Sequence, residues 1–317
     1  MTRFAVLVGA ILVLAGTPVS ASAATAAPVR KPVPVRRSVP WSPYRPPAPL
    51  RTVDHPPVDG VRSFDNGPRD ANRLALTFDA DMTPFMLGQL QRGAVASWYN
   101  REVVDILRQE GVPATIFMTG LWAQAYPDVA RDLAADPSFE IGSHTFDHSA
   151  FRTPCYGLFG ASDRTAEIET AQIAIASVTG VTPRLIRFPG DCYDVSDVSL
   201  AASEGLSVIS GDVRGGDGFN PSSASVVGVV MNQARGGSII LLHLQGGPNA
   251  PMTAPALRQV IPALRAAGYQ FVTVSDLLGL ERAIPSPPPM TTAQTAVASR
   301  PDPAAEEAEP NRGTHFF

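Results

Sequence analysis

The chain has 317 residues, and its 25 Lys and Arg residues nearly balance its 29 Asp and Glu residues, giving a net charge of −4 at pH 7. The basic residues are densest in residues 24–57 rather than along a groove of the expected folded domain. Because nucleic-acid binders carry a basic face on the folded domain, this pattern excludes nucleic acid as an expected partner. A hydrophobic fraction of 44% indicates a globular core rather than a disordered chain.

The first 23 residues have the pattern of a secretory signal peptide. Arg3 precedes an apolar run over residues 5–16, and Ala21-Ser-Ala23 offers a small-residue cleavage site. The run is too short to span a bilayer, and no later segment approaches that length. We therefore expect a secreted, extracellular protein without stable membrane insertion.

Two flanking segments have compositions that do not support a packed core. Residues 24–57 are rich in proline and arginine, which predicts a semi-rigid, extended linker. Its charge would allow electrostatic association with an anionic cell wall, although a plain solvated linker is the preferred interpretation. Residues 285–317, rich in Pro, Ala and Glu, predict a disordered tail. Residues 58–284 remain, enough for one large domain.

Strand-like and helix-like segments alternate within this domain. Apolar runs predict strands at 73–78, 114–119, 139–143, 185–188, 206–210, 238–242 and 270–274. Helices are predicted at 101–110, 121–135, 164–178, 195–204, 224–235 and 254–267, several of them followed by a glycine C-cap. Such alternation predicts parallel strands joined by right-handed crossovers. The expected fold is α/β, a distorted (β/α)7 barrel rather than an open doubly wound sheet.

Acidic and imidazole side chains follow three of the predicted strands. Asp79 and Asp81 come after the first strand, His144 and His148 after the third, and His243 after the sixth. In a parallel barrel the carboxyl ends of the strands meet at one rim, where active sites lie. We therefore expect these five side chains to lie together.

The histidine pair suggests a metal site. His144 and His148 are four residues apart, about one helical turn, so both rings could converge on one ion. Such a pair also arises by chance, and its position at a strand end strengthens the interpretation. Two imidazoles and one carboxylate make an open catalytic site for Zn²⁺ or another divalent first-row ion such as Co²⁺.

Residues 74–278 resemble the polysaccharide deacetylase family, also called carbohydrate esterase family 4. Its first motif usually reads Thr-Phe-Asp-Asp-Gly, and this chain has Thr77-Phe-Asp79-Ala-Asp81, with the second carboxylate displaced by one residue. The resemblance implies that Asp79 is the general base and that Asp81 binds the metal.

Two further motifs match in the family's order. The family's His-Ser/Thr-x-x-His is found complete as His144-Thr-Phe-Asp-His148, which implies that both histidines bind the metal. Arg187-Phe-Pro189 resembles the third motif, which implies that Arg187 holds the general base and that a backbone N–H after the proline polarises the acetyl carbonyl. Gly190 follows the proline where the family often has tyrosine or phenylalanine, so the donating amide is left open.

The last two motifs supply a histidine and its carboxylate. The segment from Asp212 to Phe219 resembles the family's Asp-x-x-Asp-Trp loop, and either Asp212 or Asp217 could support the catalytic histidine. Both could equally be turn residues. Leu-Leu-His243 resembles the fifth motif, which implies that His243 is the general acid.

The implied activity is removal of N-acetyl groups from a glycan such as peptidoglycan or a chitin-like chain. Asp79 would take a proton from the attacking water, and His243 would protonate the leaving amine, which gives acetate and a free amino sugar. An O-acetyl esterase acting on xylan would use the same residues. A catalytically idle carbohydrate-binding module is a further, less favoured alternative.

Two other features concern the rim. Cys155 and Cys192 are the only cysteines, both follow rim motifs, and export of the protein favours a disulfide between them.

The insertion at residues 82–99 is longer than the usual link to the first helix, and we expect it to contribute to the substrate groove.

Overall fold

The computed structural model describes residues 63–246 and 248–283. The signal peptide at 1–23, the linker at 24–57 and the tail at 285–317 fall outside the described residues and stay predictions. None of the helices in the described part has the length and apolar character needed to cross a bilayer.

The strands alternate with helices along the chain. The strands are β1 (Ser63–Phe64), β2 (Arg73–Ala80), β3 (Ala114–Met118), β4 (Phe139–Ser143), β5 (Leu185–Ile186), β6 (Ser207–Ile209), β7 (Val213–Arg214), β8 (Ile239–His243) and β9 (Gln270–Phe271). The helices are α1 (Pro84–Gln91), α2 (Arg101–Glu110), α3 (Gly120–Ala125), α4 (Pro127–Ala135), α5 (Arg164–Thr179), α6 (Val195–Ser203), α7 (Ser223–Gln233), α8 (Thr253–Ala266) and α9 (Val274–Leu278). A short 3-10 turn lies at Pro189–Asp191.

The sheet confirms the predicted distorted (β/α)7 barrel. Its strands follow the order β1-β6-β5-β4-β3-β2-β8-β7, with β9 attached to β2, and the paired strands run parallel. All seven predicted strands are present, and β1 and β7 are short additions. The path ends at β1 and β7, so the barrel is a curled, incomplete one.

Strand β2 lies inside the sheet, between β3 and β8, and sets the level of the rim. All of its residues except Arg73 are buried, and cover on both faces explains why its sequence is almost continuously apolar. Asp79 is in register with Phe117 of β3 and with His243 of β8. The carboxyl ends of β2 and β8 therefore stop at the same height, which places an acidic and an imidazole group side by side.

The helices differ from the prediction in three places. The segment predicted as one helix at 121–135 forms α3 and α4, because Pro127 disfavours helical backbone at Tyr126, whose φ and ψ are −125° and 56°. Helix α1 within the 82–99 insertion was not predicted; Thr83 caps it and Pro84 begins it. The last strand is shorter than predicted, and α9 already begins at Val274.

Candidate active site

A cavity of about 640 Å³ opens at the carboxyl ends of the strands. Six of the predicted site residues line it: Asp79, Asp81, His144, His148, Arg187 and His243. They come from the ends of β2, β4, β5 and β8. The rim arrangement that the sequence predicts is therefore present in the structure.

Asp81, His144 and His148 form a cluster that fits a divalent cation. Each offers one ligand atom, and these atoms lie within 4.8 Å of one another. The Nε2 atom of His144 is 3.4 Å from Asp81 Oδ1, and that of His148 is 3.6 Å from Asp81 Oδ2. Asp81 Oδ1 is buried without a hydrogen-bond partner among the described atoms. A buried, unpartnered carboxylate oxygen facing two imidazole nitrogens is what an Asp-His-His metal site requires.

A hydrogen bond at Nδ1 of His144 determines which ring nitrogen is free to bind a metal. Its Nδ1 lies 2.8 Å from the carbonyl oxygen of Arg187. A carbonyl only accepts, so Nδ1 carries the proton and donates it. In the neutral ring Nε2 is then the atom with a free lone pair, and it faces Asp81. Metal-ligating histidines are commonly held in this way.

Electrostatics at the cluster favour added positive charge. Burial raises the pKa of Asp81, but the charges of His148 and His144 outweigh it and hold that pKa well below its usual range. Burial lowers the pKa of His148 to about 4. Burial also lowers the pKa of His144, but Asp79 and Asp81 raise it by more. The pKa of His144 is therefore above its usual value. Two carboxylates around a buried imidazole thus attract a cation.

The histidine pair lies on a loop and not on the helical turn to which its spacing corresponds. Residues 144–149 form a loop, in which Thr145 and His148 both have φ of 66°, in the left-handed region. Each such residue costs about 1–2 kcal/mol when it is not glycine. The rings nevertheless converge, with centroids 4.9 Å apart. Two left-handed residues, rather than a helical turn, bring them together.

Several neighbours hold this strained loop. The amides of Gly120 and Leu121, at the start of α3, donate to the carbonyls of Thr145 and Phe146. Glu167, in the first turn of α5, accepts from the amides of Phe146 and Asp147 at 2.9 Å and 3.3 Å. Burial, and then the charge of Asp147, raise the pKa of Glu167 to about 7. Sequence reasoning missed Glu167, because nothing in its own segment signals a contact with the loop.

Asp79 and Arg187 make a buried ion pair beside the cluster. Nη1 of Arg187 donates to Asp79 Oδ1 at 2.7 Å, and its Nη2 and Nε donate to the carbonyls of Ser210 and Ile209. The guanidinium also lies over the Phe117 ring, 4.2 Å from its centroid. Asp79 Oδ2 lies on the side of the Asp-His-His cluster, 3.8 Å from His144 Nε2. One carboxylate oxygen is thus anchored and the other faces the site.

His243 is held by Asp217. Nδ1 of His243 lies 2.8 Å from Asp217 Oδ1, and its backbone N–H donates to Oδ2 at 2.8 Å. The hydroxyl of Thr253 donates to the same Oδ2, a contact that the sequence did not reveal. Burial lowers the pKa of His243, but the charge and hydrogen bond of Asp217 outweigh it and raise the pKa to about 10.

Asp212, the other carboxylate considered for that position, is bound elsewhere. It accepts from Arg69 Nη2 at 2.7 Å, from Ser238 Oγ at 3.0 Å and from the backbone N–H of Ile239 at 2.9 Å. These contacts fix the start of β8, so the structure does not bring Asp212 to the imidazole. Of the two acids, geometry places Asp217 there.

Cys155 and Cys192 form the predicted disulfide, which joins two rim loops. It also explains why glycine follows Pro189. A Cβ atom at Gly190 would lie 2.6 Å from Cys155 Sγ and 3.2 Å from the Tyr156 ring, and the φ of Gly190 is 63°. The disulfide-bonded loop therefore occupies the space that an aromatic side chain at position 190 would need.

The insertion at residues 82–99 reaches the cavity as expected. Thr83 and Met86 line it, at and near the start of α1. The insertion is anchored by Trp98, whose indole N–H donates to the carbonyl of Met86 at 2.9 Å. This segment therefore forms one wall of the cavity.

Known proteins resemble this chain in sequence. The model of the family described as "Polysaccharide deacetylase" matches residues 66–209. The chain is 31% identical over 185 residues to a chitooligosaccharide deacetylase of Azorhizobium caulinodans, covering 53% of this chain and 82% of that protein. It is 29% identical over 218 residues to a peptidoglycan-N-acetylglucosamine deacetylase of Bacillus cereus, covering 67% of this chain and 90% of the relative.

A solved structure shows the same fold. The chitin deacetylase of Colletotrichum lindemuthianum superimposes with a TM-score of 0.56 at 21% identity, covering 71% of this chain and 96% of that one.

The identity and coverage shared with the Azorhizobium protein, together with the family match, confirm the resemblance seen in the sequence motifs. The chain therefore belongs to the polysaccharide deacetylase family, also called carbohydrate esterase family 4, and its enzyme class is that of a polysaccharide N-deacetylase.

Proposed function

We propose that the protein is a secreted, metal-dependent hydrolase that removes N-acetyl groups from a cell-wall or chitin-like polysaccharide, with peptidoglycan favoured. One observation carries the proposal: a single cavity holds the Asp-His-His cluster between an anchored carboxylate, Asp79, and a carboxylate-bound imidazole, His243. Such an arrangement provides one proton acceptor and one proton donor on either side of a cation.

Asp81, His144 and His148 would hold the metal, with Zn²⁺ expected and Co²⁺ as an alternative. When bound, the ion would supply Lewis-acid polarisation of the acetyl carbonyl and favour ionisation of the attacking water. The donor set of two imidazoles and one carboxylate is typical of catalytic zinc and leaves a coordination position open.

Asp79 is suited to act as the general base. Arg187 anchors Oδ1, while Oδ2 faces the cluster, so this oxygen can accept the proton of the water that attacks the acetamide carbon. The ion pair also holds the carboxylate of Asp79 in one orientation before the reaction begins. A base that is already positioned in this way increases the rate of proton transfer.

His243 is suited to act as the general acid. Its Nδ1 is engaged by Asp217, so the proton on Nε2 is the one available to the leaving nitrogen. With a pKa of about 10 the imidazole is protonated at neutral pH. The C–N bond breaks as this proton is transferred, and the products are acetate and an amino sugar.

A backbone amide is the remaining group that the proposed mechanism needs. The amides of Asp191 and Cys192 already donate to the carbonyls of Phe188 and Pro189 inside the turn. The amide of Gly190, directly after Pro189, is therefore our candidate donor to the oxyanion that develops on the acetyl oxygen.

Three further points support the substrate and the location. The Bacillus cereus relative is named for peptidoglycan N-acetylglucosamine, which favours peptidoglycan here. The leader-like first 23 residues and the Cys155–Cys192 disulfide both fit an oxidising compartment outside the cytoplasm. The basic linker at 24–57 would add electrostatic association with an anionic wall.

Acetate release tests the proposal. The purified protein, loaded with Zn²⁺ or Co²⁺, is incubated with peptidoglycan, chitooligosaccharides and acetylated xylan. We expect acetate from the first two and its loss when a chelator removes the metal. Acetate from xylan alone would instead identify an O-acetyl esterase, and binding of glycan without acetate release from any of the three would identify a carbohydrate-binding module.

A further inference from the structure

A strained turn carries the backbone amide that we assign to the oxyanion. It is the 3-10 segment Pro189–Asp191, which we name the oxyanion turn. Gly190 has a φ of 63° and Asp191 a φ of 56°, so two consecutive residues lie in the left-handed region. Glycine adopts this conformation freely, but Asp191 has a Cβ atom and adopts it at a cost. Such a backbone keeps its shape only where its surroundings hold it.

The Cys155–Cys192 disulfide packs against the oxyanion turn. Cys192 follows the turn directly, and Cys155 is buried in the loop after β4. A Cβ atom at Gly190 would lie 2.6 Å from Cys155 Sγ and 3.4 Å from Cys192 Sγ, so both sulfur atoms lie against the backbone of Gly190. The carbonyl of Cys192 also accepts from the N–H of Arg152 at 2.9 Å. The loop after β4 therefore supports the turn.

An ion pair holds the last residue of the turn. Nε and Nη2 of Arg214 both donate to Oδ2 of Asp191, Nε at 3.0 Å. Oδ1 of Asp191 is buried without a hydrogen-bond partner among the described atoms. The contacts with Arg214 are therefore the ones that fix this side chain. Asp191, Arg214 and Gly190 all line the catalytic cavity.

Arg214 connects the oxyanion turn to the sheet beside the general acid. It is the last residue of β7 and is in register with Leu241 of β8, two residues before His243. The N–H of Gly215 donates to the carbonyl of Leu241 at 3.0 Å, so the backbone on the far side of Arg214 is also fixed. One side chain thus ties the turn to a hydrogen-bonded part of the sheet.

This ion pair is poorly suited to a purely stabilising role. The side chain of Arg214 is 63% exposed, and that of Asp191 is 13% exposed. Ion pairs with a well-exposed partner contribute little to folding stability, because water screens the charges and a long side chain must be ordered. Its effect is local, on the residue that directly follows Gly190.

The position of the Gly190 amide matters because an oxyanion donor acts over a short distance. Its N–H has to lie about 2.7–3.1 Å from the place that the oxyanion will occupy. The resulting stabilisation is gained in the transition state and not in the bound substrate. A displaced donor therefore lowers kcat and leaves KM nearly unchanged.

We propose that the Cys155–Cys192 disulfide and the Asp191–Arg214 ion pair are positioning groups, which hold the Gly190 amide toward the acetyl oxygen and thereby raise kcat. This inference rests on the proposed function. The four side chains act through the backbone of the oxyanion turn rather than by contact with the reacting atoms. The disulfide supports Gly190 itself, and the ion pair fixes the residue after it.

The test compares variants of the ion pair with a matched control. Arg214→Gln removes the positive charge, and Asp191→Asn removes the negative charge with a residue that tolerates the left-handed conformation. Arg214→Lys keeps the charge but has a single donor atom, so it should retain part of the effect. The control Arg184→Gln breaks the ion pair with Glu281, in which the arginine is 38% exposed and is not among the residues that line the cavity.

Acetate release from chitopentaose is measured for each protein. We expect kcat to fall roughly tenfold in Arg214→Gln and in Asp191→Asn, which is part of the effect of about 100–1,000-fold of losing an oxyanion donor. KM should stay within about twofold of the parent value. The double variant should lose no more than either single variant, because both remove the same contact. Arg214→Lys should fall between the parent and Arg214→Gln, and Arg184→Gln should match the parent.

Reduction of the disulfide tests the other positioning group. The native protein is treated with a phosphine reductant, and circular dichroism checks that it stays folded at the assay temperature. We expect kcat to fall by a similar factor and to recover when the disulfide is reoxidised. Unchanged kcat in the folded, reduced protein would remove the disulfide from the inference.

Two further measurements exclude a general structural effect. Metal content and the alkaline limb of the kcat–pH profile should stay those of the parent in all ion-pair variants, because the ligands and His243 are left in place. Unchanged kcat in Arg214→Gln and Asp191→Asn would overturn the inference. The same loss in Arg184→Gln, or a shifted alkaline limb, would overturn it as well.

A small ester separates this inference from the proposed function. Hydrolysis of 4-nitrophenyl acetate forms the same kind of tetrahedral oxyanion but involves no sugar and no C–N bond. If the parent protein cleaves this ester and releases no acetate from any glycan, the proposed N-deacetylation fails, whereas a matching fall of kcat in the variants still supports the oxyanion turn. Cleavage of neither substrate by the metal-loaded parent would overturn both.

Discussion

At the scale of single residues, the two neighbouring acids Asp79 and Asp81 have different surroundings. Asp79 is tied to Arg187 on one oxygen, whereas Asp81 faces two imidazoles and has one oxygen without a hydrogen-bond partner among the described atoms. The first arrangement suits a proton acceptor and the second a metal ligand. Displacement of the second acid by one residue from the usual family motif is compatible with both tasks.

The pKa of His243 gives a test at this scale. In the proposed mechanism the protonated imidazole is needed for turnover, and Asp217 raises its pKa from 6.5 to about 10. Activity should therefore be present below this value and be lost as the pH rises through it. Asp217→Asn removes the main cause of the upward shift, so the alkaline limb of kcat should move to lower pH, which a kcat–pH profile measures.

Asp212→Asn is the matched control for this measurement. Asp212 contacts Arg69, Ser238 and Ile239 rather than the imidazole. Its variant should keep the alkaline limb of the parent protein, whatever it does to stability. A shift of the limb in Asp212→Asn and none in Asp217→Asn would show that the general acid is supported differently from what the geometry indicates.

At the scale of elements, the loop after β4 depends on α5. Glu167 accepts hydrogen bonds from two amides of the loop that carries His144 and His148, and this loop contains two left-handed residues. Glu167→Ala should let the loop relax and should weaken metal affinity by roughly 10–100-fold, the usual effect of losing support behind a ligand. Competition with a chelator measures the affinity directly.

Glu169→Ala provides the control, because Glu169 is exposed on the same helix. It should leave metal affinity unchanged. Equal affinities in Glu167→Ala and the parent protein would mean that the contacts of the loop with α3 suffice to hold the two imidazoles in place.

The disulfide joins two further elements of the rim. Cys155 and Cys192 are 37 residues apart in sequence, and closing a loop of that length stabilises the fold by about 3–4 kcal/mol in the chain-entropy model. The double variant Cys155→Ser/Cys192→Ser should lose about that much free energy of unfolding, as chemical denaturation would show. A loss well under 1 kcal/mol would mean that the two loops are held by their other contacts.

Elements with strong local signals could be predicted from the sequence. The buried strands are continuous apolar runs, so their carboxyl ends, and with them Asp79, Asp81 and His243, could be placed on one rim. Pro127 also signals the break of the second predicted helix, at 121–135. The convergence of the two histidines was predicted, although a loop and not a helical turn produces it.

Features that depend on tertiary contacts could not be predicted. Asp212 and Asp217 both follow turn-like, glycine-rich sequence, and only the path of the loop after β7 decides which one meets His243. Thr253 and Glu167 act on site loops from α8 and α5, far away in sequence. No local pattern in either helix encodes such a contact.

At the scale of the whole molecule, a curled parallel sheet collects side chains from across the chain. The site residues run from Asp79 to His243 in sequence, yet they line one cavity because their strands end at one level. Loops after these strands can then vary without disturbing the rim, which is how a barrel supports different substrates. In this chain the insertion with α1 and the disulfide-bonded loop shape the cavity.

The central claim is that three residues hold a metal while two others transfer protons. It is tested most directly by elemental analysis and acetate release for five purified variants. Asp81→Ala, His144→Ala and His148→Ala should lose both the metal and the activity, because each removes one ligand. Asp79→Asn and His243→Ala should keep the metal and lose turnover by about 100-fold or more, because each removes a proton-transfer group. Loss of metal in Asp79→Asn together with full metal content in Asp81→Ala would contradict this division of roles.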